Sequence, residues 1–221
     1  MLSETLTLTI DGTEPLTPAS VREIDALCDR AEDEPGVALV TLRVTGAPGE
    51  GWADGLTTAL VTKWERVLRR LERLPAATIA ATSGDCGGTA LDVFLTADIR
   101  FAAPDTRLRV PVHAEAAWPG MTAYRLVQQA GAARVRRAVL LGLPIEASDA
   151  LALGLVDDLA EDPSETVAAT AKQLAGLSGK ELAIRRQLLF DATSTSFEDA
   201  LGPRLAACDR ALRQGRQEAA A

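Results

Sequence analysis

The stretch from residue 76 to residue 121 limits the chain most, because a buried strand, a glycine-rich turn, a helix start and a hairpin must all fit together within it. Ala77 to Thr82 is a short apolar run ending at Ser83-Gly84-Asp85, and after Cys86 the pair Gly87-Gly88 opens a segment with helical spacing. Glycines at such a turn let backbone approach a ligand closely, and the first N–H groups of a helix lack intrahelical acceptors. The turn therefore suits a phosphate or a developing oxyanion. It would serve equally to do no more than fit a helix against a sheet.

The flanking segments supply that sheet and its cover. Leu2, Leu6, Leu8 and Ile10 alternate with polar residues, the period of a half-buried strand that Asp11-Gly12 ends. Thr17-Pro18 then predicts a capped helix start ahead of Val21, Ile24, Leu27, Cys28 and Ala31, which share one face, and Pro35-Gly36 stops the helix. Val37 to Val44 is apolar enough to be buried on both faces, so strand, helix and strand imply a parallel crossover. Thr45 to Gly55 is a glycine-rich loop. From Thr57, Leu60, Val61, Trp64, Val67, Leu68, Leu71 and Leu74 recur at helical spacing up to Pro75, which marks a core stripe with Arg66, Arg69, Arg70 and Arg73 on a solvated face. Further helices are expected over Tyr124 to Leu141, Glu146 to Leu153, Ser164 to Leu177, Lys180 to Phe190 and Ser196 to Gln214. Gly131, Gly142-Leu143-Pro144 and Gly179 act as breaks, and Glu218 to Ala221 reads as a loose tail. The last helix carries Leu201, Leu205, Cys208 and Leu212 on one face, as a subunit contact would require.

Composition narrows the function classes. With 221 residues, 47% of them apolar, one domain with a substantial core is the expectation. A net charge of -8 argues against nucleic acid or an anionic membrane as the partner. No apolar run approaches the roughly 20 residues of a membrane span. Met1 to Thr9 has no basic leader, so a cytoplasmic protein is expected. Cys28, Cys86 and Cys208 lie far apart with no C-x-x-C spacing, and His113 is the sole histidine. A disulfide framework, a zinc site and any multi-histidine mechanism are thereby disfavoured.

The order and spacing of Gly84-Asp85-Cys86-Gly87-Gly88-Thr89-Ala90-Leu91-Asp92, Ala97-Asp98-Ile99-Arg100-Phe101-Ala102, Pro111 and Trp118-Pro119-Gly120-Met121 resemble the central signature of the enoyl-CoA hydratase/isomerase (crotonase) superfamily. Leu140 to Ala150 and Ala152 to Asp157 resemble its later segment, so the likeness covers most of residues 37 to 160. The resemblance implies an α/β fold, a spiral of ββα units over 1–160. A helical region over 161–221 would belong to the same domain and serve oligomerisation. It implies an acyl-CoA or acyl-thioester substrate, with CoA part of the substrate and no separate cofactor or metal. Lys63-Trp64-Glu65-Arg66 and Gly84 to Val93 look most like the accessory hydratase-like proteins of dihydroxyphenylglycine formation in actinobacterial glycopeptide antibiotic pathways. That likeness implies action on a polyketide chain en route to 3,5-dihydroxyphenylacetyl-CoA. The implied partners are further copies, a crotonase-like subunit or a type III polyketide synthase.

Carried over residue by residue, the resemblance puts the two oxyanion-hole amides at Asp54, in Trp52-Ala53-Asp54-Gly55, and at Thr89. It puts the first catalytic carboxylate at Asp92, which on a helix opening near Gly88 shares a face with the Thr89 amide; a solvated first-turn carboxylate is the alternative. The position of the second acid, after Pro111, holds Val112. His113 and Glu115 are near in sequence, but strand alternation turns His113 away from Val112, and a structural role is expected for it. The family's basic CoA-holding loop is replaced by the short acidic Ile10 to Leu16, which implies weak holding of free acyl-CoA. Two readings follow: a hydratase or dehydratase working through Asp92, and a catalytically impaired subunit that supports a partner.

Overall fold

In the computed structural model, residues 4–33, 37–174 and 179–218 are described. Leu2, the Pro35-Gly36 stop, Leu177 and residues 219–221 of the expected tail lie outside them. Strand β1 (Glu4–Asp11) buries Leu6, Leu8 and Ile10 and exposes Thr5, Thr7 and Thr9, as its period of two requires. Helix α1 (Pro18–Asp33) starts where Thr17 Oγ1 accepts from Ala19 and Ser20 N–H. It leads to β2 (Val37–Gly46), which pairs parallel with β1. Helix α2 (Thr58–Leu71), capped by Thr57, buries Trp64, Val67, Leu68 and Leu71; Leu74 is buried just beyond its end.

Strand β3 (Ala77–Gly87) runs farther than its apolar segment. Ser83-Gly84-Asp85, expected as a turn, is part of the strand. Helix α3 (Thr89–Phe94) follows, then β4 (Ile99–Ala102), β5 (Arg107–Arg109) and the hairpin of β6 (Val112–His113) with β7 (Ala116–Ala117). Gly131 divides the expected 124–141 helix into α4 (Met121–Ala130) and α5 (Ala132–Leu141). Glu146, expected to open the next helix, instead ends β8 (Ile145–Glu146), which is followed by α6 (Ala147–Ala152) and β9 (Asp158–Leu159). Helix α7 (Pro163–Leu174) packs on β2, β3 and β4, with Val167 buried.

The sheet runs β1-β2-β3-β4-β9, all parallel, while β5 adds to the far end of β3 and β8 pairs antiparallel with β5. This is a mixed α/β fold around a parallel sheet. Helices such as α1, α2 and α3 bury their apolar faces in the same core as the strands. Cys28 and Cys86 are fully enclosed, and burial pushes both thiols up to about 12. Arg70, expected on the solvated face of α2, is partly exposed there and binds Asp25, Asp29 and Glu32 of α1 at 2.7 Å each.

The described residues fall into two compact units, divided between 176 and 177. Helix α7 belongs to the first, with the sheet. The second holds α8 (Gly179–Asp191) and α9 (Phe197–Glu218), where Arg204 Nη2 donates to Leu188 O at 2.9 Å. Gly179, expected as a break, stands at the first position of α8, and α9 runs through Pro203 and past Gln214. Phe197, Leu201, Leu205 and Leu212 of α9 are exposed. Among the described residues no helix is long and apolar enough to cross a membrane.

Candidate active site

The site forms where β3 changes partners. Up to Thr82 it lies between β2 and β4; it then bulges around Gly84 and resumes at Asp85 to Gly87 against β5. The ends of β1, β2 and β3 converge so tightly that a Cβ on Gly12 would lie 2.4 Å from Gly46 O and 2.5 Å from Gly87 O. Backbone alone fits there. Gly88 then turns the chain into α3 with φ +54°, a conformation that strains any L side chain.

Thr89 opens α3 and lines a cavity of about 580 Å³, counting the space at its mouth. Its N–H is the first of those that a helix leaves without an internal acceptor. One turn on, Asp92, whose N–H donates to Gly88 O at 2.9 Å, lines the same cavity. Both its oxygens are held: Trp64 Nε1 donates to Oδ2 at 2.9 Å, and the Thr122 hydroxyl makes a short hydrogen bond to Oδ1. Burial pushes the Asp92 carboxyl above its ordinary range; the bonds from Thr122 and Trp64 and the charge of Arg125 oppose the shift without cancelling it.

Behind Asp92 lies a charge network that periodicity alone does not announce. Arg125 of α4 is buried and donates from Nη2 to Glu65 Oε2 at 2.8 Å and from Nε to Glu72 Oε1 at 2.9 Å. Arg69 Nη1 reaches Glu72 Oε2 at 2.8 Å. Glu65 lines the cavity, and burial raises its carboxyl too; Arg125 opposes this and the charge of Asp92 adds to it. In the sequence Trp64 reads as plain core stripe, and Glu65, Thr122 and Arg125 carry no signal beyond, for Glu65, its place in Lys63-Trp64-Glu65-Arg66.

The other wall comes from the 46–57 loop and the segment around Pro111 and Trp118. Trp52 meets Trp118 edge-to-face at 5.3 Å between centroids, with His113 at 6.2 Å from each, and Trp52 Nε1 donates to Val112 O at 2.9 Å. His113 is exposed, packs edge-on against both indoles and does not line the cavity. The chain turns between β6 and β7 through Ala114 (φ +49°) and Glu115 (φ +65°), two non-glycine residues in the left-handed region.

The structure brings Thr89 and Asp92 together but not Asp54. The Asp54 N–H donates to Gly51 O at 2.8 Å and closes a turn, and Asp54 is not among the cavity residues. A donor bound to a turn carbonyl is not open to a ligand. Val112 is absent from the cavity lining as well; with His113 and Glu115 it borders a separate groove beyond the hairpin. Among the described residues no group of three or more His, Cys, Asp or Glu is placed to hold a metal ion.

The sequence profile of the enoyl-CoA hydratase/isomerase family matches residues 51–218. A protein of Amycolatopsis orientalis described as an enoyl-CoA hydratase is 59% identical over 209 residues, covering 95% of this chain and 96% of its own. The crystal structure of an enoyl-CoA hydratase/isomerase from Marinobacter aquaeolei superposes with a TM-score of 0.81 at 21% identity, over 95% of this chain and 88% of that one. That of an enoyl-CoA hydratase from Mycobacterium smegmatis gives 0.82 at 17% identity, over 94% and 87%. The chain belongs to the enoyl-CoA hydratase/isomerase family, and its α/β architecture is that of the crotonase structures.

Proposed function

We propose that the protein is an enoyl-CoA hydratase or dehydratase that acts on a polyketide acyl-CoA or acyl thioester in the formation of 3,5-dihydroxyphenylacetyl-CoA. The placement of Asp92 carries this reading: a carboxyl with raised proton affinity, fixed by Trp64 and Thr122, one helical turn from the Thr89 amide. A thioester carbonyl at the Thr89 N–H would meet a donor already in position as negative charge builds on its oxygen. Asp92 would then stand near the carbon beside that carbonyl and carry the proton. The 59%-identical relative described as an enoyl-CoA hydratase supports the reaction class. The finer assignment rests on the resemblance of Lys63 to Arg66 and Gly84 to Val93 to the DpgB accessory hydratase, which also makes a cytoplasmic location the natural one.

The test is hydration of crotonyl-CoA and turnover in a reconstituted pathway. Asp92→Asn keeps the shape, since Asn can accept from Trp64 and donate to Thr122. Its rate should fall by roughly 10², the scale of a general acid–base group.

A second reading is favoured by the closed Asp54 turn and by Val112 at the second acid position. In it the chain is a catalytically impaired subunit that supports a partner, either a crotonase-like subunit or a type III polyketide synthase. Asp92→Asn then leaves pathway output unchanged in an assay that still requires the protein. Self-association fits both readings, and the exposed leucines of α9 are the natural contact.

A further inference from the structure

We propose that Glu65 is the second acid–base group of this cavity, acting with Asp92 on one bound molecule, and that the two carboxyl groups share a single proton. The inference rests on the hydratase reading above and assigns the role left open at Val112. The α2 turn that sends Trp64 to Asp92 sets Glu65 beside it on the cavity wall. One Glu65 oxygen, Oε2, is fixed by Arg125 at 2.8 Å; Oε1 accepts no hydrogen bond from the described residues. Asp92, by contrast, has both oxygens engaged. Glu65 is therefore anchored on one side and leaves an oxygen free to exchange a proton with a bound molecule.

Charge in the cluster accounts for the shared proton. Asp92 of α3, Glu65 of α2 and Glu72 at the C-terminal cap of α2 face Arg125 of α4 and Arg69 of α2, three carboxylates against two guanidiniums. Glu14, an exposed residue from the β1–α1 loop, also lines the cavity and adds a further negative charge. Arg69 is half-exposed and committed to Glu72, so Arg125 is the buried cation that Asp92 and Glu65 have between them. Burial raises both carboxyls and the charge of Asp92 adds to the rise at Glu65, so one proton is assigned to the pair.

The reaction then balances without any other group. Water attacks the β-carbon of the enoyl thioester through its oxygen and passes a proton to the Glu65 carboxylate. The carbon–carbon π pair moves to the α-carbon and takes the proton from the Asp92 carboxyl. The pair begins and ends with one proton, transferred from Asp92 to Glu65, and exchange between them or with water resets it. Dehydration is the same path reversed.

The test uses the full-length protein, with crotonyl-CoA as probe for kinetics and carboxyl titration by ¹³C NMR as a readout independent of turnover. Wild type should show a two-limbed pH profile in kcat/KM. Glu65→Gln should lose one limb and roughly 10² in rate, and Glu65→Asp should recover part of both. Glu65→Gln should also lower the titration midpoint of Asp92, and Asp92→Asn that of Glu65. An active wild type whose Glu65→Gln variant keeps its rate and profile overturns the role of Glu65 and leaves the hydratase reading standing. A wild type inactive on crotonyl-CoA and in the reconstituted pathway overturns that reading and, with it, the role of Glu65 in turnover. The shared proton is then judged by titration, and an Asp92 midpoint unmoved by Glu65→Gln overturns it. Circular dichroism of each variant separates these results from loss of fold.

Discussion

The α2–α3–α4 wall of the cavity is held by directed bonds, from Trp64 and Thr122 to Asp92 and from Arg125 to Glu65 and Glu72. The facing wall, of the 46–57 loop and the segment around Pro111 and Trp118, is held by Trp52 and Trp118 meeting edge-on with His113 of the adjoining hairpin and by one N–H from Trp52 to Val112 O. Directed, charge-assisted bonds fix position and protonation together, whereas ring contacts hold a surface without fixing a charge. Chemistry can therefore sit on the first wall, while the second can vary its shape and substrate with little effect on Asp92.

Arg125→Ala should break the polar wall with the largest effect. It leaves the part-buried Glu65 without its cation and Glu72 with Arg69 alone, at a cost of about 3 kcal/mol, read as a fall in the urea midpoint. A destabilisation below about 1 kcal/mol would show that the network is a solvated ornament. The pH dependence comes next. The folded-state affinities of Asp92 and Glu65 for protons are raised, so between their unfolded and folded pKa values the folded protein binds more protons. Their contribution to stability is then fully present below the unfolded values and is lost as pH rises through the folded ones. Asp92→Asn should flatten that loss, by about 1.4 kcal/mol for every tenfold difference in proton affinity between the folded and unfolded chain, measured by denaturation at a series of pH values. The smallest effect belongs to the ring wall. Glu115→Gly relieves a left-handed side chain and should stabilise by roughly 0.5 kcal/mol, with kcat for crotonyl-CoA unchanged. A change in kcat would mean that the two walls are coupled.

What can be read in the chain alone follows the same division. The alternation of Leu6, Leu8 and Ile10 and the stripe from Trp64 to Leu71 are local patterns, and both elements form as expected. The bulge at Gly84 resembles the end of a strand because a glycine at positive φ marks either a turn or a bulge; the pairing of Asp85 to Gly87 with β5 decides between them. Strands β6 to β9, two residues each, exist only through partners distant in the chain or across a tight turn. In the site, Asp92 and Thr89 are legible because motif spacing on one helix fixes a shared face. Glu65 and Arg125 are not, since the burial of a charge depends on a counter-charge 60 positions away. Asp54 is misplaced by its motif because loop residues in the same order can spend an N–H inside the loop.

The enclosure of Cys28 and Cys86 makes the protein its own clock. Thiols held near 12 present almost no thiolate at neutral pH and no surface to a reagent, so each can be alkylated only when its segment opens. Cys86 lies in β3 two residues before Gly88, whereas Cys28 reports on α1, on the strand-and-helix layer away from the turn. Cys208, exposed on α9, sets the rate of an unhindered thiol in the same molecule. The ratio of the three labelling rates would thus time the opening of the β3–α3 turn against that of α1, without any engineered probe.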